Sequence, residues 1–291
     1  MEQALAELRT ARIERGLPFS PDDVTKTGII GEELTPLVTT LGSLPAKRMS
    51  TDPGFAGLVV DLLRAVGVKE GDVIAVGFSG SLPGLNIAVL SAAEALNLEA
   101  VVISSVGASQ WGATNPQFTW LDMERVLFER GVFRFRSAAA ARSGGAKSNF
   151  LLEEGKDLAR AAIRRNGLPE LMGETFADVV RKRMAIYLER AKGRAIKAFV
   201  NVGGASANVG RCDQSQIRAG IVRRLPSCEE QGQGLIHRFS RMRVPVIHLL
   251  QVQRLARTYG MTLHRFPGGA VEDGREGLED SADRPMVGPR P

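Results

Sequence analysis

Gly77-Phe78-Ser79-Gly80-Ser81 sets two hydroxyl groups two residues apart in a glycine-bearing turn. Two chemistries suit that pattern. Backbone N–H groups and serine hydroxyls at the start of a helix can cradle a phosphate or carboxylate without any base. Alternatively, one serine acts as a nucleophile, as in the elbow G-x-S-x-G, although Ser81 stands where that motif has its last glycine. An activated Ser79 needs a base. His248, in Val246-Ile247-His248-Leu249-Leu250, is the candidate, with Asp122 as the orienting acid. The chain order Ser79, Asp122, His248 suits an α/β-hydrolase-like site. The bland reading stays open beside both: Gly80 and Gly84 serve a tight turn under a buried helix, Asp122 opens a helix, and His248 is a satisfied core histidine.

Other candidates are weaker. His237 and His264 sit in irregular surroundings. Cys212 and Cys228 form no C-x-x-C pair and have no metal spacing with the histidines; two free thiols are expected, with a single disulfide as the alternative. No metal or cofactor is expected. Gly144-Gly145-Ala146-Lys147-Ser148 lacks the spacing of a P-loop, and no G-x-G-x-x-G follows a strand. Trp111 and Trp120 flank a polar loop containing Asn115, where they either wall a pocket or anchor the loop.

The elements that must position these residues repeat one style. Val73–Val76 reads as a buried strand, leading through the Ser79 turn into an apolar helix over Ile87–Leu96 that Asn97 closes. Ala100–Ser105 reads as a second strand, running into a polar loop at 105–116. Thr119-Trp120-Leu121-Asp122 matches a capping box. Ile196–Val202 is a third strand, ending in Gly203-Gly204, and Val244–Leu250 a fourth. Asp52-Pro53 starts a helix with Phe55, Leu58, Val59, Leu62 and Leu63 on one face. Residues 1–16 form a charged helix, a linker or a partner-binding element. Ile29-Ile30 and 37–40 read as short strands, 134–150 as an exposed loop, and 205–233 shows little pattern. The expected fold is a three-layer α/β domain with a mostly parallel sheet. An N-terminal segment spans 1–50, the α/β domain 51–266, a helical insertion about 150–193, and a disordered tail 267–291.

The chain has 291 residues and a formal net charge of +6. Its last 25 residues hold six acids and three arginines, so the rest is more basic than the whole. A basic body suits a polyanion or simply a solvated surface. No run is apolar enough to span a bilayer and no signal segment is legible, so a cytoplasmic protein is expected.

Several consecutive segments resemble one family. They are Thr27-Gly28-Ile29-Ile30-Gly31-Glu32, Thr39-Thr40-Leu41-Gly42, Ala46-Lys47-Arg48, the Ser79 turn with Leu85-Asn86-Ile87-Ala88-Val89-Leu90, Ile103 to Ser109, Phe118 to Glu124, and Phe199 to Gly204. In order, over roughly residues 2–265, they resemble the poly-gamma-glutamate system protein family. Members are associated with genes that make and export poly-γ-glutamate, a capsular or secreted polymer, and often begin with a hydrophobic anchor that is not seen here. The resemblance implies an accessory role in synthesis or export, with membrane-bound components of that system as partners.

The expected site gathers Ser79, Gly80, Ser81, Asn86, Ser105, Ser109, Asn115, Asn201, Gly203 and Gly204 at the strand ends, with Lys47 and Arg48 supplying charge. Its ligand would be an anionic polymer or a phosphorylated small molecule; nucleic acid is not expected. The alternatives are a serine hydrolase or transferase acting on γ-glutamyl or ester bonds, and a phosphosugar binder of the isomerase-domain type. All of them require three distant glycine turns, near residues 79, 107 and 203, to meet at one polar hollow.

Overall fold

A computed structural model describes residues 1–145 and 151–261. His264, the expected tail over 267–291, and Lys147 and Ser148 lie outside the described residues. In chain order the elements are α1 (Glu2–Glu14), β1 (Val38–Thr40), α2 (Leu44–Met49), α3 (Gly54–Ala65), β2 (Val73–Ser79), α4 (Pro83–Ala95), β3 (Glu99–Ser105), β4 (Ala108–Ser109), α5 (Trp120–Glu129), β5 (Ser137–Ala141), α6 (Glu153–Arg165), α7 (Phe176–Arg190), β6 (Ile196–Val202), α8 (Ser206–Val209), β7 (Gly220–Ile221), α9 (Leu235–Arg241), β8 (Val246–Leu249) and α10 (Val252–Thr258).

The six-stranded sheet runs β5-β3-β2-β6-β8-β7, parallel except for β7 at one edge. The order has a direct reading. From β2 the chain steps outward to β3 and β5, then returns to the other side of β2 to lay down β6 and β8. The direction of winding therefore reverses between β2 and β6. In open α/β sheets the crevice beyond the strand ends at such a switch point is where ligands bind.

Both sheet faces are covered, so β2 is buried along its whole length, as a near-continuous apolar strand in a parallel sheet must be. One face packs Ile74, Val76 and Phe78 against α3, α4 and α5. The other packs Ala75, Ile103 and Phe199 against α7 and α9. Three layers result, as expected from the strand and helix pattern. Trp120 is fully buried and meets Phe78 edge-to-face at 5.4 Å.

Several sequence expectations need correction. The stretch 134–150 is not only loop: Ser137–Ala141 forms the edge strand β5, paired with β3. Four alanines carry little strand propensity, and pairing with β3 supplies what they lack. The two helices of the expected insertion, near 153–190, are built into the layers of the fold. α6 packs beside α5, and α7 forms part of the second layer, its Tyr187 hydroxyl donating to Val76 O at 2.8 Å. Ile29 and Ile30 are buried in an irregular segment, and only residues 38–40 form a strand there. α1 is packed, not free: Ala4, Leu8 and Ala11 are buried, and Arg130 pairs with Glu7 at 2.6 Å. Cys212 and Cys228 are joined in a disulfide, with Cα atoms 5.6 Å apart. No helix among the described residues is long and apolar enough to cross a membrane.

Candidate functional site

The three glycine turns meet. Gly203 has φ +85°, a backbone that favours glycine, and a Cβ there would lie 2.9 Å from Ser79 Cβ. A Cβ on Gly80 would lie 2.4 Å from Val106 O, and Gly80 N–H donates to Ser105 O at 2.9 Å. The loops after β2, β3 and β6 thus close on one another at the switch point. A cavity of about 860 Å³ opens there. Ser79, Ser81 and Ser109 line one side, Gly204, Ala205 and Ser206 another, and Thr39–Ser43 with Lys47 a third.

Lys47 arrives by a separate route. β1 lies parallel to β4, with Thr40 beside Ser109, which ties residues 38–40 to the loop after β3. Gly42 N–H then donates to Gln110 Oε1 at 3.0 Å. Ser43 caps α2, with Pro45 in its first turn. One turn on, Lys47 extends its amine under the Ser79–Ser81 turn. It donates to Ser81 O, and its Nζ lies 2.6 Å from Ser109 Oγ. Ser81 Oγ accepts from Ser109 N–H at 3.0 Å and from the Ser79 hydroxyl at 3.0 Å. Two turns, those after β2 and β3, and one remote helix form a single hydrogen-bonded string.

Lys47 is only 3% exposed. Among the described residues no carboxylate pairs with it, and burial pushes its amine down to about 7. Arg183 of α7 is a second buried cation, fully enclosed and without an acidic partner among the described residues. Burial lowers its pKa as well. Its Nη2 donates to Ser105 Oγ and its Nη1 to Asn208 Oδ1, each at 3.2 Å, while Nε meets no partner among the described residues. Asn208 Nδ2 passes the network on to Asn201 Oδ1 at 2.8 Å. These residues form a polar layer on the α7 side of the strand ends.

The other expected residues fall in different places. Ser79, Ser81, Ser109, Lys47 and Gly204 line the cavity. Gly80 and Gly203 shape its turns. Asn86 lies beneath, its Nδ2 donating to Ser79 O at 3.0 Å. Ser105 and Asn201 belong to the polar layer. Arg48 does not face the cavity: its Nε donates to Asp22 O at 2.9 Å. Asn115 accepts Gln117 N–H within its own loop. Both tryptophans act as anchors, Trp111 through Asp22 and Trp120 through Ser104.

The proposed Ser79–Asp122–His248 relay is not assembled. Asp122 closes its capping box by accepting Thr119 N–H at 2.8 Å and is gripped by Arg165 and Asn166. Burial opposes its ionisation, but Arg165, Asn166 and Thr119 outweigh burial and hold its pKa below the ordinary value. His248 faces Asn201, at 2.8 Å from Nδ1 to Asn201 Nδ2, and stands two strands from β2, roughly 10 Å at ordinary strand spacing. Burial pushes its ring down to about 4. His237 is buried on α9, with both ring nitrogens unpartnered among the described residues.

Sequence reasoning passed over Arg183, Asn208, Gly144 and the 39–43 segment as site residues. Arg183 carried a legible signal: it sits on the stripe Val179, Val180, Tyr187 that α7 turns inward. Gly144, in the stretch that lacks P-loop spacing, lines the cavity and lies against Ala205. Among the described residues, no group of three or more His, Cys, Asp and Glu side chains is placed to hold a metal ion.

No family model matches the chain, and no curated protein matches it.

Proposed function

We propose that this chain binds an anionic ligand, a carboxylate or a phosphate, in the switch-point cavity, as an accessory protein of poly-γ-glutamate synthesis or export. One observation carries the binding reading. Lys47 is buried at the cavity wall without a carboxylate partner among the described residues. A buried cation is costly unless something of opposite charge reaches it, and the cavity gives a ligand access. Arg183, enclosed on the α7 side of the strand ends, adds positive potential of the same sign. The serine hydroxyls and the positive end of α4 favour an anion in the same space.

The resemblance to the poly-gamma-glutamate system proteins supplies the pathway. A second hollow, of about 570 Å³ beside β7, is lined by Arg218, Arg223, Arg224 and Arg254. None of the four forms an ion pair among the described residues, a surface that suits an extended polyanion.

Thermal unfolding with a short γ-linked oligoglutamate, a phosphosugar panel and nucleotides tests the reading. A ligand at 100 times its Kd stabilises by about 2.7 kcal/mol. The expected result is a rise in Tm with the oligoglutamate that Lys47→Met abolishes. Stabilisation by phosphosugars alone would favour the sugar-phosphate reading. No shift with any anion, or equal shifts in Lys47→Met, would overturn the proposal.

A further inference from the structure

We propose that Ser109 and Lys47 form a nucleophile–base pair that cleaves or transfers the amide or ester bond of an anionic acyl substrate. The inference rests on the reading that the cavity takes an anionic ligand, and it moves the chemistry away from Ser79 and His248. A hydroxyl becomes a nucleophile when a base holds its proton, and lysine serves as that base in some serine enzymes. Ser109 Oγ is the hydroxyl within reach of an amine here, at 2.6 Å from Lys47 Nζ, and both residues line the cavity. Ser79 and Ser81 bond to each other instead.

The rest of the site fits the reaction. Neutral Lys47 keeps one N–H on Ser81 O and turns its lone pair to the Ser109 hydroxyl. Ser109 N–H is fixed on Ser81 Oγ, which holds the nucleophile's backbone in place. Ser81 and Leu82 line the cavity and lead into α4, so the positive end of that 13-residue helix lies next to it and favours a developing oxyanion.

The steps balance. Ser109 Oγ attacks the carbonyl carbon as its proton passes to Lys47 Nζ. The tetrahedral intermediate collapses, the C–N or C–O bond breaks, and the Lys47 ammonium gives that proton to the departing amine or alkoxide. Lys47 then takes a proton from water, or from an acceptor amine, as it attacks the Ser109 ester. The second tetrahedral intermediate collapses, the acyl bond to Ser109 Oγ breaks, the Lys47 ammonium returns its proton to that oxygen, and the acid or transferred product leaves with the Ser109 hydroxyl restored.

Lys47 therefore acts in two protonation states, and pH separates them. Anion binding uses the ammonium and weakens as pH rises through about 7. Acylation uses the free amine and speeds up over the same range.

The full chain is treated with a fluorophosphonate between about pH 5.5 and 9, the adduct is located by peptide mass spectrometry, and thermal shifts with oligoglutamate are read on the same preparations. The expected result is an adduct on Ser109, with a rate rising about tenfold per pH unit before levelling above about 7. Labelling should vanish in Ser109→Ala and in Lys47→Arg, which keeps the charge but not the base. The wild-type pH profile decides the matter even if a variant fails to fold. An adduct on Ser79 or Ser81, or no adduct on natively melting protein, overturns the pair. Oligoglutamate stabilisation without an adduct sinks the chemistry and spares the binding reading; an adduct without stabilisation does the reverse.

Discussion

Asn201 Nδ2 donates to His248 Nδ1 at 2.8 Å, and Asn208 fixes the Asn201 amide from its other end at 2.8 Å. The network assigns the neutral ring its proton on Nε2. Burial holds the ring at about 4, below its ordinary 6.5. The unfolded chain thus takes up a proton that the folded chain refuses. His248's share of stability is fully present above pH 6.5 and is lost as pH falls toward 4, a change on the order of 3 kcal/mol.

Glu124 titrates in the opposite sense. Its carboxyl is buried, accepting Ser137 N–H and the Ser137 hydroxyl, each at 2.8 Å, and burial raises it from 4.5 to about 7. Its share is present below pH 4.5 and is lost as pH rises toward 7, again on the order of 3 kcal/mol. Between about pH 4.5 and 6.5 the two slopes oppose each other. Urea unfolding of the wild type supplies the reference profile, to which His237, also held below its ordinary value by burial, adds a slope of the His248 sign. Relative to the wild type, His248→Gln should tilt the profile toward stability falling with rising pH, and Glu124→Gln should tilt it toward rising. Parallel profiles for the three proteins would refute both assignments.

The Cys212–Cys228 bond closes a loop 16 residues apart in sequence, between α8 and α9. Loop-closure entropy puts its contribution at about 3 kcal/mol. Dithiothreitol should lower Tm, and Cys212→Ser/Cys228→Ser should match the reduced protein. A melt indifferent to reductant would count against the bond. Such bonds persist in oxidising compartments, so the redox state of the two thiols in cells is a direct readout of where the chain works.

The fold's main lines were legible because burial writes itself into composition. Val73–Val76, Val101–Ile103 and Phe199–Val202 could hardly be other than strands covered on both faces, and the glycines after them marked the turns. β5 was not legible, since Ser137-Ala-Ala-Ala-Ala is held by its neighbour and not by its own propensity. The site was half legible. Ser79 and Ser109 end strands and Ser81 and Gly204 follow them, so their placement is set by topology. What Lys47 and Ser109 share, 62 residues apart, depends on the β1–β4 pairing of two short strands with no pattern to announce it. His248 and Asp122 misled because buried polar side chains serving structure look, in sequence, like those serving catalysis.

Proton uptake on anion binding tests the central claim most directly. A ligand that pairs with Lys47 must protonate an amine that burial holds at about 7. Calorimetric titration with a short γ-linked oligoglutamate at about pH 8, in two buffers of different ionisation enthalpy, should report uptake of close to one proton per site. That uptake should shrink toward zero below about pH 6 and disappear, along with tight binding, in Lys47→Met. Binding at pH 8 with no proton exchanged, or with the same uptake in Lys47→Met, would contradict the account.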